Sequence, residues 1–571
     1  MSVLKTLTEG IQPRDLHQES NALLNKWERT GLLEGLNTDD KRHQMARLLE
    51  NQAKELLRES STMAGADVEG FAAVAFPLVR RVFASLVAQD LVSVQPMSLP
   101  SGLIFFMDFT FSSDTGNRLG NDGGDSIYGG GRVASQITGG IILTGADAEK
   151  GPYALNNGFA SPTSSITIAT TIVASGSVTD GGALVFGGSS TGYDLQRLLR
   201  FDADLTSGSA FAAATIPLAT LTSGQFNEDN FVGLTLTSVG NGRQVRRLTG
   251  FDPTDSTKVL VVLEASGSET SNTLSSSLDA VTACTLPIDD DFIEGGALGS
   301  VAGTDIWGLE NNADIPEIDI KVDSVSVTAV TKKLKAKWTP ELGQDLNAYH
   351  NMDAEVELTS ILSEQVALEI DREILEDLVK GATAGTFYWS RRPGRFVDRE
   401  TGADIANGTQ NESLLGADFT GNVSEWYETL IETINDVSAQ IHRKTLRGGA
   451  NFIVVSPEMA NLLEFTAGFR AAVTHDDDRG SIGAVRVGSL SKKFDVYVDP
   501  YFLRNVVLVG RKGASFLESG YVYAPYVPLQ VTPTIFGVED FVPRKGVMTR
   551  YAKKMVRPDM YGLVVCKDFL G

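Results

Sequence analysis

Residues 353–381 read DAEVELTSILSEQVALEIDREILEDLVKG, and the spacing of their apolar side chains decides the fold class. Ala354, Leu358, Leu362, Val366, Ile370, Ile374 and Leu378 follow one another at an unbroken step of four, and Ile361, Leu368 and Leu375 form a second row at a step of seven. Apolar residues recurring at such intervals share one face of an α-helix, so the spacing predicts a helix over 353–380. Asp353 is placed to cap the first turn, Glu355 and Glu357 sit where the helix dipole favours acids, and Lys380 followed by Gly381 marks the stop. At ~1.5 Å per residue the rod is about 43 Å long. Each step of four advances about 40° on a 3.6-residue helix, so the stripe winds around the rod and its two ends bury different faces. A two-stranded coiled coil needs a seam that stays put and does not fit. A helix that meets different neighbours along its length fits, and so does a long core helix of any large α/β protein.

Upstream of the helix, EIDIKVDSVSVTAVTKKLKAKWT (317–339) alternates through Ile318, Ile320 and Val322, then through Val325, Val327 and Val330. This predicts a long strand with a slip or bulge. Further upstream, VSVQPMSLPSGLIFFMDFTF (92–111) carries Pro96 and Pro100, which rule out a helix, and the run Leu103–Phe106 reads as a strand. Pairing of the strand near 103–110 with that at 316–337 makes everything between them an insertion at the tip of a two-stranded hairpin. The insertion, 112–312, is dense in Gly, Ser and Thr, with Lys150 and Lys258 its only lysines. Its short runs Ile166–Ile168, Val232–Leu236 and Val259–Leu263 are separated by turn residues, the pattern of an antiparallel β domain. GNRLGNDGGDSIYGGGR (116–132) is a Gly/Asp-rich loop. Near the N-terminus, KRHQMARLLENQAKELLRE (41–59) places Met45, Leu48, Leu49, Ala53, Leu56 and Leu57 on one helical face, which must pack within the chain or on a neighbour. In FPLVRRVFASLVAQDL (76–91), Pro77 suits a first helical turn.

The bulk numbers exclude several classes. The chain has 571 residues, 42% hydrophobic and 21% charged, enough for several domains in the ordinary globular range. Its 72 acidic and 49 basic residues give −23, the opposite sign from a protein built to wrap nucleic acid. No run approaches the ~20 apolar residues of a membrane span, and the N-terminus lacks a secretory pattern, so a soluble, cytoplasmically made protein is expected. Cys284 and Cys566 lie far apart and read as buried thiols. His17, His43, His350, His442 and His475 have no His or Cys at ligand spacing, and the Walker, HExxH and GxSxG motifs are absent. Asp476–Asp478 beside His475 lacks the alternating pattern of a calcium loop, and Asp289–Asp291 reads as solvated surface. Arg80–Arg81 and Arg246–Arg247 read as ion pairs between subunits. No catalytic, cofactor-binding or metal-ligating residue is expected, and no cofactor; the chain is read as a non-enzyme.

Several segments resemble the major capsid proteins of T-even-type tailed phages (myoviruses). LLNKW (23–27) and LLENQ (48–52) are similar to that family's N-terminal region, and LVRRVFASLVAQDLVSVQPMSLPSGLIF (78–105) resembles its VRR…VQPM…PTG block. LKAKWTPELGQDLNAYHNMDAEVELTSILSEQVALEIDRE (334–373) resembles its central helical block. IHRKTLRGGANFIVVSPEMANLLE (441–464), KFDVYVDPY (493–501), GYVYAPYVPLQ (520–530) and FVPRKGVMTRY (541–551) follow in the family's order.

The resemblance implies an α+β, Hong Kong 97-type capsid fold with a large β-rich insertion. Its expected divisions are a helical N-terminal segment (1–60), the first part of a peripheral domain with the first extended-hairpin strand (61–111), the insertion (112–312), and the return strand with the long spine helix (313–382). An axial domain (383–525) and C-terminal strands returning to the peripheral domain (526–571) complete it. The implied function is a major capsid protein in the virion, assembled in the host cytoplasm into hexameric capsomers, with pentamers, vertex, portal, scaffold and decoration proteins as further partners. Double-stranded DNA is enclosed without sequence-specific binding, and no membrane is involved. A vertex subunit or nanocompartment shell of the same fold, or an insertion that binds carbohydrate or a decoration protein, are the alternatives. Candidate assembly motifs are Arg80, Arg81, Gln95, Pro96, Met97, Gly448 and Gly449, and Leu57-Arg58-Glu59 is the candidate site of maturation cleavage, after Glu59.

Overall fold

The computed structural model describes residues 16–34, 39–60, 88–112, 163–178, 210–222, 226–287 with short breaks, 317–350, 352–404, 421–471, 485–513 and 520–569, with isolated positions between them. The chain divides into two compact units, one drawn mainly from Met1–Met107 and Val322–Gly571, the other from Asp108–Val133 and Ile141–Lys321. Both helices and strands build the described residues, the α+β mixture that the sequence predicts.

The first unit carries helices α1 (Leu16–Glu28), α2 (Asp39–Ser60), α3 (Ala354–Gly381) and α4 (Val423–Thr445). The strands that matter most for its shape are β1 (Ser93–Val94), β2 (Ser101–Phe111), β3 (Ile318–Thr328), β4 (Val330–Lys337), β5 (Tyr521–Val531) and β6 (Pro543–Met555). A five-stranded sheet runs β1-β5-β6-β4, with Ile535–Phe536 pairing β6. Because successive side chains of a strand alternate in direction, β6 turns Val547 and Tyr551 into the core against α3. Trp27 of α1 and Met45, Leu48 and Leu49 of α2 join the same core with Leu362, Val366, Ile370, Ile374 and Leu378 of α3. Of the apolar face read in 41–59, Met45, Leu48 and Leu49 are therefore buried within this chain, with Ala53 packed against the same core.

Helix α3 begins as its sequence dictates: the Asp353 carboxylate accepts a hydrogen bond from the Glu355 N–H at 2.9 Å. It ends at Gly381, where a Cβ would come within 2.5 Å of the Met555 side chain. The predicted winding of the stripe is visible in the second row, which passes from Ile361 at 51% exposure, through half-buried Leu368, to Leu375 at 4%.

The strand predicted over 317–337 is two strands, β3 and β4. Ala329 separates them, its N–H donating to Pro100 O at 2.9 Å. β3 pairs with β2 as a two-stranded ribbon, antiparallel because Ser112 N–H meets Glu317 O at one end and Ala329 N–H meets Pro100 O at the other. β4 pairs with β6 instead, from Val330↔Tyr551 to Lys337↔Arg544. The phase shift between Val327 and Val330 thus coincides with a change of partner, the one between Val322 and Val325 falls inside β3, and the hairpin is shorter than expected. Of the ribbon, Ile104 and Val327 pack on Met97, Val522 and Ala524 at the base.

A seven-stranded sheet occupies the rest of this unit, in the order 386–390, 561–567, 506–510, 452–455, 494–498, 485–490, 469–471. Helix α4, held at its start by a capping box between Asn422 and Glu425, lays Trp426, Leu430, Ile434, Val437 and Ile441 against Ile453, Val455, Val507, Val509 and Val564. Residues 561–567 lie between 386–390 and 506–510. This differs from the expected grouping, in which 526–571 returned together to the peripheral sheet. The cause is the buried pair Val564 and Cys566, which belongs to the core under α4, so the chain crosses over at the turn Pro558–Met560.

In the second unit every described strand pair is antiparallel. Lys258–Ala265 pairs with Ala210–Pro217 at the centre of a six-stranded sheet, and Thr163–Thr167, Ala283–Pro287 and Thr235–Leu236 form a three-stranded one. The runs read at 166–168 and 259–263 fall largely in strands, and of that at 232–236 Thr235 and Leu236 form one, while Val232 and Gly233 lie outside the described residues. Residues 76–87, Asp289–Asp291, 472–484 and nearly all of the loop 116–132 lie outside the described residues.

Candidate assembly site

A ladder of charges fixes α3 to the five-stranded sheet. Glu369, Glu373 and Asp377 recur at a step of four, beside the apolar row of Ile370, Ile374 and Leu378. Lys332 of β4 reaches Glu369 at 2.9 Å and Glu373 at 2.6 Å, and Lys553 of β6 reaches Glu373 and Asp377, each at 2.6 Å. Tyr551 donates to Glu373, and Tyr521 donates to Asp377 at 2.8 Å. In the first turn of the helix, Glu355 accepts from Lys545 at 2.6 Å and from Thr534 at 2.8 Å. Partial burial opposes ionisation of Glu373, but the hydrogen bonds from Lys332, Lys553 and Tyr551 outweigh it and hold the carboxyl down at about 2. Burial likewise opposes the charge on Lys332 and Lys553, and their carboxylate partners raise both above the usual lysine range. The ladder ties helix α3 to strands β4 and β6 along three successive turns.

Other surfaces of the first unit are apolar and uncovered. The ribbon exposes Leu103 and Val322, α3 exposes Val356 and Ile361, and the turn 535–541 exposes Ile535, Phe536, Val538 and Phe541; on the ribbon residues that belong to the second unit, Ile318 and Ile320 are exposed as well. Grouped apolar surface of this kind marks contact sites.

The residues singled out in sequence fall in separate places. Gln95 and Met97 donate backbone N–H groups to Tyr523 O and Pro525 O, both at 2.9 Å, and continue the pairing of β1 along β5 past the half-buried Pro96. The Met97 side chain is buried at the ribbon base, and Gln95 Oε1 is shielded from solvent without a hydrogen-bond partner. Gly448 has φ +113°, and a Cβ there would lie 2.8 Å from Arg511 Nη1; Gly449 O accepts from the same guanidinium at 2.9 Å. A Cβ on Gly449 would stand 2.6 Å from Ser438 Oγ. Gln95–Met97 thus serve the five-stranded sheet and Gly448–Gly449 a turn beside the seven-stranded one. Arg80 and Arg81 lie outside the described residues. Glu59 lies in the last turn of α2. Arg247, read as a cation for a neighbouring subunit, is held within the chain by Asp202 through two hydrogen bonds of 2.7 and 3.0 Å. Asn51 escaped the residue-level reading although LLENQ contains it: its Nδ2 bridges Met97 O at 3.0 Å and Tyr526 O at 3.3 Å, tying α2 to the sheet.

Burial pushes the Cys284 thiol up to about 11 and Cys566 to about 12. Among the described residues no group of three His, Cys, Asp or Glu is placed to hold a metal ion, and no helix is long and apolar enough to cross a membrane.

The model of a family described as "Major capsid protein Gp23" matches residues 68–569. The chain belongs to the Gp23 major capsid protein family. Among curated relatives it is 32% identical over 251 residues to the major capsid protein of Vibrio phage KVP40, covering 43% of this chain and 46% of that one. It is 32% identical over 255 residues to those of Enterobacteria phages T6 and T4, covering 43% of this chain in each case and 48% and 46% of theirs. This Gp23-family chain spans about half the length of the curated relatives it matches.

Proposed function

We propose that this chain is the major shell subunit of a tailed-phage head, a structural protein whose work is done by contacts between copies. The observation that carries the reading is the family match across 68–569, joined to a helix-on-sheet platform that leaves apolar ribbon and turn surfaces uncovered. In a Hong Kong 97-type subunit such surfaces are covered by neighbours: heterologous contacts close copies into hexameric rings, and the ribbon β2–β3 reaches an adjacent copy to join them. The same chemistry serves pentamers and contacts with vertex, portal, scaffold and decoration proteins. The chain's charge of −23 suits a wall around double-stranded DNA that does not adhere to it.

Processing after Glu59 belongs to the same proposal. Because Glu59 is helical and Trp27, Met45, Leu48 and Leu49 are core residues, a cut there requires the last turn of α2 to open. If the severed segment leaves, other surface must cover the core it exposes. Intact mass of virion subunits decides it: a chain starting at Ser60 supports the cut, and one retaining residues 1–59 refutes it.

A second role attaches to the insertion, a compact unit with two apolar clusters of its own, as a docking module for carbohydrate or a decoration protein on the particle. Deleting 115–310 is expected to leave shells that lose such a ligand; shells that still bind it would remove this role. The main reading is tested by sedimentation of the purified full chain. Wild type is expected to form rings or larger bodies as concentration rises, and Ile320→Asp with Val322→Asp to block their growth. Equal growth by that double variant would exclude the ribbon as a joint.

A further inference from the structure

The two strands β4 and β6 display lysine and arginine on both faces of the sheet, and the faces are treated differently. On the α3 side, Lys332, Lys545 and Lys553 each meet helix carboxylates at 2.6–2.9 Å. Strand alternation sends Lys333, Lys335 and Lys337 of β4, and Arg544 and Arg550 of β6, to the opposite face. The three lysines are exposed, and among the described residues Asp540 is the one carboxylate paired with any of these five cations, bonding Arg544 at 2.7 Å. Arg550 lies 5.3 Å from the centre of the Tyr526 ring, and its shielded Nε has no hydrogen-bond partner. The ribbon base covers this face only around Val522, Ala524 and Ala552.

Lysines along an edge strand often serve simply to prevent edge-to-edge pairing, and β4 is an edge. That explanation does not reach Arg544 and Arg550, which lie on β6, an interior strand between β5 and β4. These five cations, joined on the same face by the exposed Lys554, stand in a chain with 72 acidic and 49 basic residues and are complementary to the rest of the chain's own surface. Lysines two residues apart on a strand stand about 7 Å from one another, a spacing that several carboxylates of one partner surface can meet together.

We propose that the α3-free face of the five-stranded sheet, centred on Lys333, Lys335, Lys337 and Arg550, is a cationic docking face for an acidic surface of a second copy of this chain. The inference rests on the shell reading above and adds to it the face that receives a neighbour and the charge that holds it. Pairs of this exposed kind are individually weak and salt-sensitive, so the contact is reversible, which lets misplaced subunits leave a growing ring.

The test compares the full chain with K333E/K335E/K337E, whose substituted side chains are exposed and leave the α3 core untouched. The apparent association constant of wild type is expected to fall about tenfold as salt rises from about 0.05 to about 0.5 M. The variant is expected to associate about tenfold more weakly at low salt, with little further salt dependence. In assembled wild type made from equal parts of ¹⁴N- and ¹⁵N-labelled chains, a carbodiimide is expected to join these lysines to carboxylates of the other isotope. Wild type and variant assembling alike would overturn the docking face while leaving the shell reading intact; wild type that never assembles would refute the shell reading itself. Cross-links from these lysines confined to one isotope would overturn the inter-copy contact even if the variant failed to fold. Retardation of linear duplex DNA by wild type but not by the variant, with assembly unaffected, would assign the face to nucleic acid and also overturn the proposal.

Discussion

Glu373→Gln removes one charge from the middle of the ladder between α3 and the sheet and alters nothing else in size. Lys332 keeps Glu369 at 2.9 Å and Lys553 keeps Asp377 at 2.6 Å, so neither lysine is left alone. What is lost is a carboxylate that accepts from Lys332, Lys553 and Tyr551 together. Hydrogen bonds to charged groups contribute about 1.5–3 kcal/mol each when buried, but this site is partly open to solvent, which screens the pairs, so the whole loss is about 2 kcal/mol. For a unit of this size, at about 2.1 cal/mol/K of unfolding entropy per residue, that corresponds to about 2–3 °C in melting temperature. The pH dependence gives the sharper signature. Glu373 sits at about 2 in the folded chain against an ordinary 4.5, so its stabilisation is complete above about 4.5 and drains away as pH falls towards 2. Thermal unfolding of wild type and variant, followed by circular dichroism at protein concentrations below assembly, should differ by a constant amount between about pH 5.5 and 8 and converge on acidification. A difference below about 0.5 kcal/mol at neutral pH, or one of equal size at pH 7 and pH 3, would refute the reasoning.

Three further outcomes follow from single residues. Leu49→Ala, in the fully buried face of α2, is expected to cost about 2–5 kcal/mol in denaturant unfolding; a loss under about 1 kcal/mol would show that the N-terminal helices are not part of the core. Gly448→Ala meets both a φ of +113° and the Arg511 guanidinium, and should lower stability by about 1–3 kcal/mol, where an unaffected midpoint would contradict the turn geometry. Cys284 and Cys566 should resist a thiol reagent at pH 8 in the native chain and both react once it is unfolded; fast native labelling of either would contradict its burial.

The long helix was legible in detail because its signals are local. Asp353, the step-of-four stripe, Lys380 and Gly381 all act within a turn or two of their own positions. The acid row Glu369, Glu373 and Asp377 was equally plain, but its partners Lys332 and Lys553 come from strands far away in sequence, and no local pattern names them. The same limit explains the strand at 317–337. Alternation records which side chains share a face, and its phase shifts between Val327 and Val330, but no local pattern says that the strand changes partner at Ala329, from β2 to β6. The face of α2 could be read, whereas the sheet that covers it could not. The final crossover failed for a related reason: Tyr561–Lys567 looks like any half-buried strand, and only the packing of Val564 and Cys566 beneath α4 assigns it to the seven-stranded sheet. Arg247 illustrates the converse limit, since a cation carries no label for a partner such as Asp202.

Electron microscopy of the purified full-length chain, taken through rising concentration and falling salt, tests the shell reading most directly. Six-membered rings, and tubes or closed shells built from them, are the expected result, with the ribbon β2–β3 of one copy resolved against the next. A uniform monomer under every condition that assembles other members of the family would contradict it.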